Sequence, residues 1–284
     1  MDTEKSCYIN MLVFVLFIDL SATTLVPVPN LTLETQNINI FCMTLVSQNT
    51  IIFSDGVNVK LILIDKDIGS ELSAVTLPEC PRVICKIDNK RVVATTSEKS
   101  VRFISLNDNA LCIDTAFNID VDIFGIAGLA NDFVISHESP AGVSIISNEG
   151  RQIHTTDNVI AGRHVFKNPR RIATPPDDTI YVTDRGTHEI IRFDASLKIL
   201  QTFSGDTLRY PVGIIYINTD QLLVCSRNTD NIILIRPSTN SMTVLLDKQH
   251  GIYRPTSLGF CKEEKKLFIA SHGTINSVLA FKLT

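Results

Sequence analysis

The residue types in this chain that could do chemistry are its histidines, its seven cysteines and a group of arginines interleaved with aromatics. His137, His164, His188, His250 and His272 all fall at positions read as loops, each in a different setting. A Ser–His–acid arrangement is defined by geometry and roles, and no motif here brings a nucleophile, a base and an acid together; these histidines are expected to be surface residues of turns, and no catalytic residue is assigned. The cysteines are Cys7, Cys42, Cys80, Cys85, Cys112, Cys225 and Cys261. Their number is odd, no pair has the C-x-x-C spacing, and most sit inside apolar runs such as Leu223-Val224-Cys225, a pattern of reduced, buried thiols in a cytosolic protein. Zinc needs closely spaced Cys/His pairs, and none is present, so no metal and no cofactor is expected. The remaining chemistry is recognition. Arg163, His164, Phe166, Lys167, Arg170, Arg171, Arg209, Tyr210, Tyr253 and Arg254, with Arg185, His188, Arg227 and His272, combine positive charge with aromatic rings. Such residues stack on unpaired bases and also dominate protein–protein hot spots.

The elements that must position these residues are visible as a repeat. Six apolar hexapeptides begin at Thr50, Arg91, Asp132, Thr179, Gln221 and Lys266, so their starts lie 41, 41, 47, 42 and 45 residues apart. A second run follows each one 9 to 12 residues after the first begins, at Lys60, Ser100, Gly142, Glu189, Asn231 and Val278. Short runs rich in Val, Ile and Phe, split by polar tips such as Arg185-Gly186-Thr187-His188, read as β-hairpins. Pro81, Pro169, Pro211 and Pro255 stand 10 or 11 residues ahead of four of the hairpins, each opening a further apolar stretch. Proline suits the first residue of a strand, where its missing N–H costs no ladder bond. A weaker fourth run, such as Leu197–Phe203 or Met242–Leu246, follows the hairpin. The unit is therefore four antiparallel strands in 41–47 residues, the period of a propeller blade. The fold class is all-β, a six-bladed β-propeller over residues 24–284. The last unit has three strands before Thr284, and Thr24–Leu33 is expected to supply the fourth and close the ring.

In such a blade the loop leading into the first strand and the tip between the second and third strands emerge on the same face. That places the basic and aromatic residues of blades four to six together, opposite a more acidic half with Glu79, Glu98, Asp120, Asp122 and Glu138. The innermost strands are read as Ile38–Leu45, Arg82–Ile87, Phe124–Leu129, Arg170–Thr174, Val212–Ile217 and Thr256–Cys261. Asn39 is the one ligand-type residue among them, with no Asp, Glu or His, so the axis is expected to be lined by uncharged side chains and to hold no metal.

Tyr210-Pro211-Val212-Gly213-Ile214 followed by QLLVCSRNTDNIILI resembles an NHL repeat, as does Asn168-Pro169 followed by DDTIYVTDRGTHEIIRFD. Together with the terminal YRPTSLGF, LFIAS and VLAFKL, the blades resemble the C-terminal propeller of tripartite-motif (TRIM) ubiquitin ligases. The resemblance implies recognition of a protein partner or ubiquitination substrate, with ubiquitin transfer done by a separate zinc-binding RING. Ahead of the propeller this chain offers Cys7 and no histidine, so the ligase activity, the RING, the B-box and the coiled coil do not come with the resemblance.

The net charge of −4 argues against coating nucleic acid through bulk charge. A protein partner is the expectation, single-stranded RNA on the same basic face the alternative, and DNA is not expected. Residues 1–23 form an N-terminal apolar segment: Met11–Leu20 is too short to span a bilayer, which takes ~20 residues. Its flank holds Asp2 and Glu4 against Lys5, unlike the basic start of a secretory signal, so an extra strand or truncated linker is expected, and a cytoplasmic monomer. A cleaved signal would instead make the chain a secreted propeller, with Asn30-Leu31-Thr32 as a glycosylation acceptor and a hydrolase as a further alternative.

Overall fold

The computed structural model describes residues 18–20, 23–34, 38–156, 159–160, 163–271 and 277–284, with Val159, Ile160 and Arg163 described by backbone alone. The strand β1 (Leu25–Thr32) comes first. Blade 1 is β2 (Ile40–Leu45), β3 (Thr50–Asp55), β4 (Lys60–Asp65) and β5 (Glu71–Thr76). Blade 2 is β6 (Pro81–Lys86), β7 (Arg91–Thr96), β8 (Ser100–Asn107) and β9 (Ala110–Asn118), and blade 3 is β10 (Ile123–Leu129), β11 (Asp132–Glu138), β12 (Ala141–Ile146) and β13 (Gln152–Thr155). A two-stranded hairpin, β14 (Val159–Ile160) and β15 (Arg163–His164), lies between blades 3 and 4 and accounts for the longest of the repeat spacings. Blade 4 is β16 (Pro169–Ala173), β17 (Ile180–Asp184), β18 (Glu189–Phe193) and β19 (Ile199–Phe203). Blade 5 is β20 (Pro211–Asn218), β21 (Gln221–Ser226), β22 (Asn231–Arg236) and β23 (Ser241–Leu246), and blade 6 begins with β24 (Pro255–Cys261), β25 (Lys266–Ser271) and β26 (Ser277–Leu283). Every blade is an antiparallel four-stranded sheet, as the repeat implied. No helix among the described residues is long and apolar enough to cross a membrane.

Burial explains the sequence signal. The second strands are buried along nearly their whole length, β3, β17 and β21 at every position, because both of their faces are covered by neighbouring blades. They therefore read as unbroken apolar runs rather than as alternation. The outermost strands face water, and β13 is exposed throughout.

The ring closes as expected: β1 pairs antiparallel with β26, from Leu25 opposite Leu283 to Thr32 opposite Ser277, giving the sheet order β1-β26-β25-β24. The backbones of Thr24 and Thr284 exchange hydrogen bonds of 3.2 and 3.0 Å at the end of this ladder. Leu31 and Leu33 bury beside Ile62, Ile64 and Phe268, joining blade 6 to blade 1. At the same seam Gly69 has φ +77 and a Cβ there would lie 1.9 Å from the Thr32 carbonyl oxygen, so only glycine fits. The buried Lys66 ammonium crosses the seam to Glu264 at 2.5 Å and pairs with Asp67 at 2.8 Å. Burial by itself would lower the Lys66 pKa, but the two carboxylates outweigh it and hold the pKa above the ordinary lysine value. This contribution is thus present at neutral pH and is lost only when pH rises through that raised value.

Of the apolar N-terminal run, Ile18–Leu20 falls within the described residues and the rest lies outside them. Leu20 is buried among Ile217, Leu223 and Leu283. Its N–H donates to Gln221 Oε1 at 3.2 Å, Asn218 Nδ2 donates to the Ile18 carbonyl at 3.2 Å, and Asp19 pairs with Arg236.

His137 is not a surface histidine. It ends the inner part of β11 in a buried position, because the strand runs on through Glu138 and both faces are covered. Its Nδ1 lies 2.5 Å from the Pro140 carbonyl and its Nε2 2.9 Å from Ser144 Oγ. A carbonyl only accepts, so Nδ1 carries the proton and Nε2 accepts from the serine. Burial lowers the His137 pKa, with the Pro140 bond opposing.

Two outcomes follow from this packing. Leu31→Ala should cost about 2–4 kcal/mol in urea denaturation, whereas Val26→Ala, on the same strand but exposed, should stay within ~0.5 kcal/mol; equal effects would contradict the closure. A depressed histidine pKa means that the unfolded chain takes up the proton first, so stability is complete above the ordinary value of 6.5 and falls below it. His137→Asn should therefore flatten the decline of the denaturation midpoint on acidification, and an unchanged slope would refute the buried neutral histidine.

Candidate functional site

The face carrying the leading loops and the second-to-third-strand tips is fixed by polar residues at the ends of the second strands. In blade 4 the buried Asp184 carboxylate accepts from the N–H groups of Lys167 (2.7 Å), Asn168 (3.0 Å), Gly186 (2.7 Å) and Thr187 (3.1 Å). One side chain thus holds both the leading loop and the tip. Asp55 does the same in blade 1, accepting from Asn39, Val57 and Asn58. In blade 5 Ser226 Oγ accepts from the Arg209 N–H at 2.8 Å, and Asp230 accepts from the Arg254 N–H at 2.6 Å.

On this scaffold the structure gathers part of the expected basic face. The guanidiniums of Arg185 and Arg227 lie 5.3 and 5.6 Å from the Tyr210 ring centroid, and the Tyr210 N–H faces His188 Nδ1 at 3.2 Å. Arg185 also pairs with Glu138 at 3.2 Å and bonds Asn168 Oδ1. Arg227 Nε is buried and has no partner among the described residues. Burial, then the nearby Arg254 and more weakly Arg185, pull the Arg227 pKa below the ordinary arginine value, while Tyr210 opposes. Arg254, Lys167 and Tyr253 are exposed, and Arg209 turns outward to Asp206 at 2.8 Å. Arg170 pairs with Glu138 at 2.6 Å and lies 4.0 Å from the Phe124 ring centroid, which Arg82 approaches to 4.4 Å from the other neighbouring blade.

Several expectations need correction. Phe166 is 2% exposed and stacks on Phe193 at 5.8 Å, inside the core between blades 3 and 4, so it is not on the face. Arg171 leaves the face altogether: its guanidinium crosses the axis and donates to the carbonyls of Phe41 in blade 1 (2.9 Å) and Arg82 in blade 2 (3.4 Å). Each innermost strand carries a β-bulge just after its start, for example between Ile40 and Cys42 and between Pro81 and Val83. A bulge takes residues out of the ladder, and Arg171 satisfies the carbonyls of two bulged residues. Three acids of the other half are paired, Glu79 with Arg102 at 2.6 Å, Asp122 with Arg82 at 3.5 Å and Glu138 with Arg170 and Arg185. The Arg163 side chain and His272 lie outside the described residues. Arg82 was not anticipated, although Pro81-Arg82 matches Pro169-Arg170 in its place after the opening proline.

The axis is likewise not lined by uncharged groups alone. Below Arg171 it opens towards the opposite, trailing face as a cavity of about 980 Å³, whose lining includes Lys86, Arg171, Lys262 and Glu263. The Cys85 thiol there is a poor nucleophile: burial pushes it up to about 11, against a bond from the Gly128 backbone. Cys225, behind the wall, is raised further by burial. Cys42, Cys225 and Cys261 are buried as expected, whereas Cys112 is exposed. Among the described residues no three His, Cys, Asp or Glu side chains cluster as metal ligands would.

No family model and no curated protein matches the chain. Among solved structures it is similar to a virginiamycin B lyase from Staphylococcus aureus, a catalytically inactive histidine-to-alanine variant with quinupristin. That likeness is 15% identical, covers 90% of this chain and 99% of the other, and has a TM-score of 0.65. A streptogramin B lyase is similar at 13% identity, over 90% of this chain and 97% of that one, with a TM-score of 0.63. Identities this low show a shared six-bladed fold, and the resemblance to tripartite-motif propellers finds no support beyond that fold.

Proposed function

We propose that this propeller is a non-catalytic recognition platform whose leading face binds an acidic segment of a partner protein through Arg185, Arg227 and Arg254. The observation that carries this reading is the Arg227 guanidinium. It is partly desolvated, it stands among like charges, and its buried Nε lacks a partner among the described residues. Clustered guanidiniums repel one another, and a carboxylate supplied from outside relieves that repulsion. The loops that present these groups are held by Asp184, Ser226 and Asp230, so little ordering is needed on binding.

A protein ligand fits better than RNA for a structural reason. Base stacking needs free aromatic faces. Phe166 is buried, Phe124 is flanked by Arg82 and Arg170, and Tyr210 by Arg185 and Arg227. Tyr253, 58% exposed, is the one aromatic ring of the basic half left open among the described residues, and Phe41, 37% exposed, lies across the face beside Gly56 of blade 1. The described histidines are dispersed: His137 is buried in blade 3, His154 bonds the Ser196 carbonyl, His164 is in β15, His188 faces the Tyr210 N–H and His250 caps against Asp247, while His272 lies outside the described residues.

Fluorescence anisotropy with a labelled Glu/Asp-rich peptide tests the proposal. Arg227→Glu and Arg254→Glu should each weaken binding about tenfold or more, ~1.4 kcal/mol, while Lys198→Glu, in the turn ahead of the outer strand β19, should not. Peptide binding indifferent to the arginines, or single-stranded RNA binding more tightly and lost in the same variants, would reject it. Asp184→Ala should also cost about 2–4 kcal/mol of stability in urea, since it strands several backbone donors at once; a neutral effect would show that the platform is not held as described.

A further inference from the structure

The axial cavity on the trailing face takes no part in that reading, yet it is built as a site. The small residues Ala127, Gly128, Ala173 and Gly259 clear its walls, and a Cβ placed on Gly128 would meet nothing within 4 Å. Its size suits a small organic molecule, since ligand pockets run to roughly 300–1,000 Å³. Arg171 forms its floor at the level where the bulged strands converge.

The charge inside is one-sided. Arg171, Lys86 and Lys262 line the cavity against one carboxylate, Glu263, in a protein whose net charge is −4. The hydrogen-bond partners of the Arg171 guanidinium are neutral backbone carbonyls, which orient it without cancelling its charge. The Lys86 side chain is exposed at the cavity's edge; no described residue makes a hydrogen bond or ion pair to its ammonium, and partial burial against the walls lowers its pKa, against the pull of Glu263 and Asp88. Lys262 is held 5.7 Å from the Tyr216 ring centroid at the mouth. Fixed charges in a concave, low-dielectric surface focus their field on whatever occupies it.

We propose that this cavity binds a small amphipathic anion, a carboxylate- or phosphate-bearing molecule whose charged end is drawn by Arg171, Lys86 and Lys262 and whose body lies against the apolar walls of the innermost strands. The site is on the opposite face from the recognition surface proposed above and does not depend on it.

Anilinonaphthalene sulfonate, an amphipathic anion that fluoresces on leaving water, is the probe, and N-phenylnaphthylamine, which has the same rings without the sulfonate, is its neutral counterpart. Titrated into the full chain, the anion should bind saturably at one site. Lys86→Glu should weaken it at least about tenfold, and Gly128→Leu, which fills the space, should abolish it; Lys198→Glu should leave it unchanged. The neutral dye should bind weakly and ignore Lys86→Glu. A thermal melt confirms that each variant is folded, which matters because Arg171 itself ties three blades together and is left intact. Anion binding indifferent to both Lys86→Glu and Gly128→Leu, or neutral and anionic dyes binding alike, would overturn the proposal.

Discussion

The antiparallel ladder between Leu25–Thr32 and Ser277–Leu283 joins the first described strand to the last, and with it blade 6 becomes complete and the blades become a ring. No covalent bond makes this closure. It rests on backbone hydrogen bonds, on Leu31 and Leu33 packing into blade 1, and on Lys66 reaching Glu264 across the seam. Because both faces of each second strand are buried only when both neighbouring blades are present, every blade depends on that one join. The centre depends on it as well. Arg171 extends from blade 4 to carbonyls in blades 1 and 2, a span that exists only when the ring is shut.

Closure also separates two chemistries along one axis. On the leading face, guanidiniums are packed against aromatic rings and glutamates, and the loops that carry them are pinned by Asp184, Ser226 and Asp230. Cation–aromatic contacts of this kind contribute about 0.5–1 kcal/mol each when exposed and more when desolvated. Their larger effect here is to use up ring faces and to fix the direction of the charges. On the trailing face, the same strands surround an open-mouthed cavity lined by small residues, and Arg171 is part of its lining.

Most of the architecture was legible in the residues because propeller blades enforce a repeated pattern: an opening proline, a fully apolar second strand and a third strand about ten residues later. The same enforcement explains why the likeness to tripartite-motif propellers went further than the comparisons support. A match in prolines, apolar runs and turn tips reports what any such blade needs, and says little about lineage. At the site, the sequence located the arginines but not their directions. Arg170 and Arg171 are the two residues of the bulge between Pro169 and Ile172, where the regular alternation of a strand is interrupted, and one meets Glu138 and Phe124 while the next crosses the axis. Phe166 sits among charged residues yet packs on Phe193, because blade 4 needs its bulk at the seam. Arg82 was missed since it lies outside the basic half, although its position after Pro81 matches that of Arg170. The charged lining of the cavity was missed for a related reason: Lys262 and Glu263 enter it from the turn beyond β24, and Arg171 from across the ring.

Hydrogen–deuterium exchange of the intact chain addresses the closed ring most directly. If β1 covers β26, peptides from residues 277–284 should exchange about as slowly as those of the interior strand at 266–271, despite standing last in the chain. Exchange over 277–284 as fast as at the open outer edge, Gln152–Thr155, would mean that the ring does not shut.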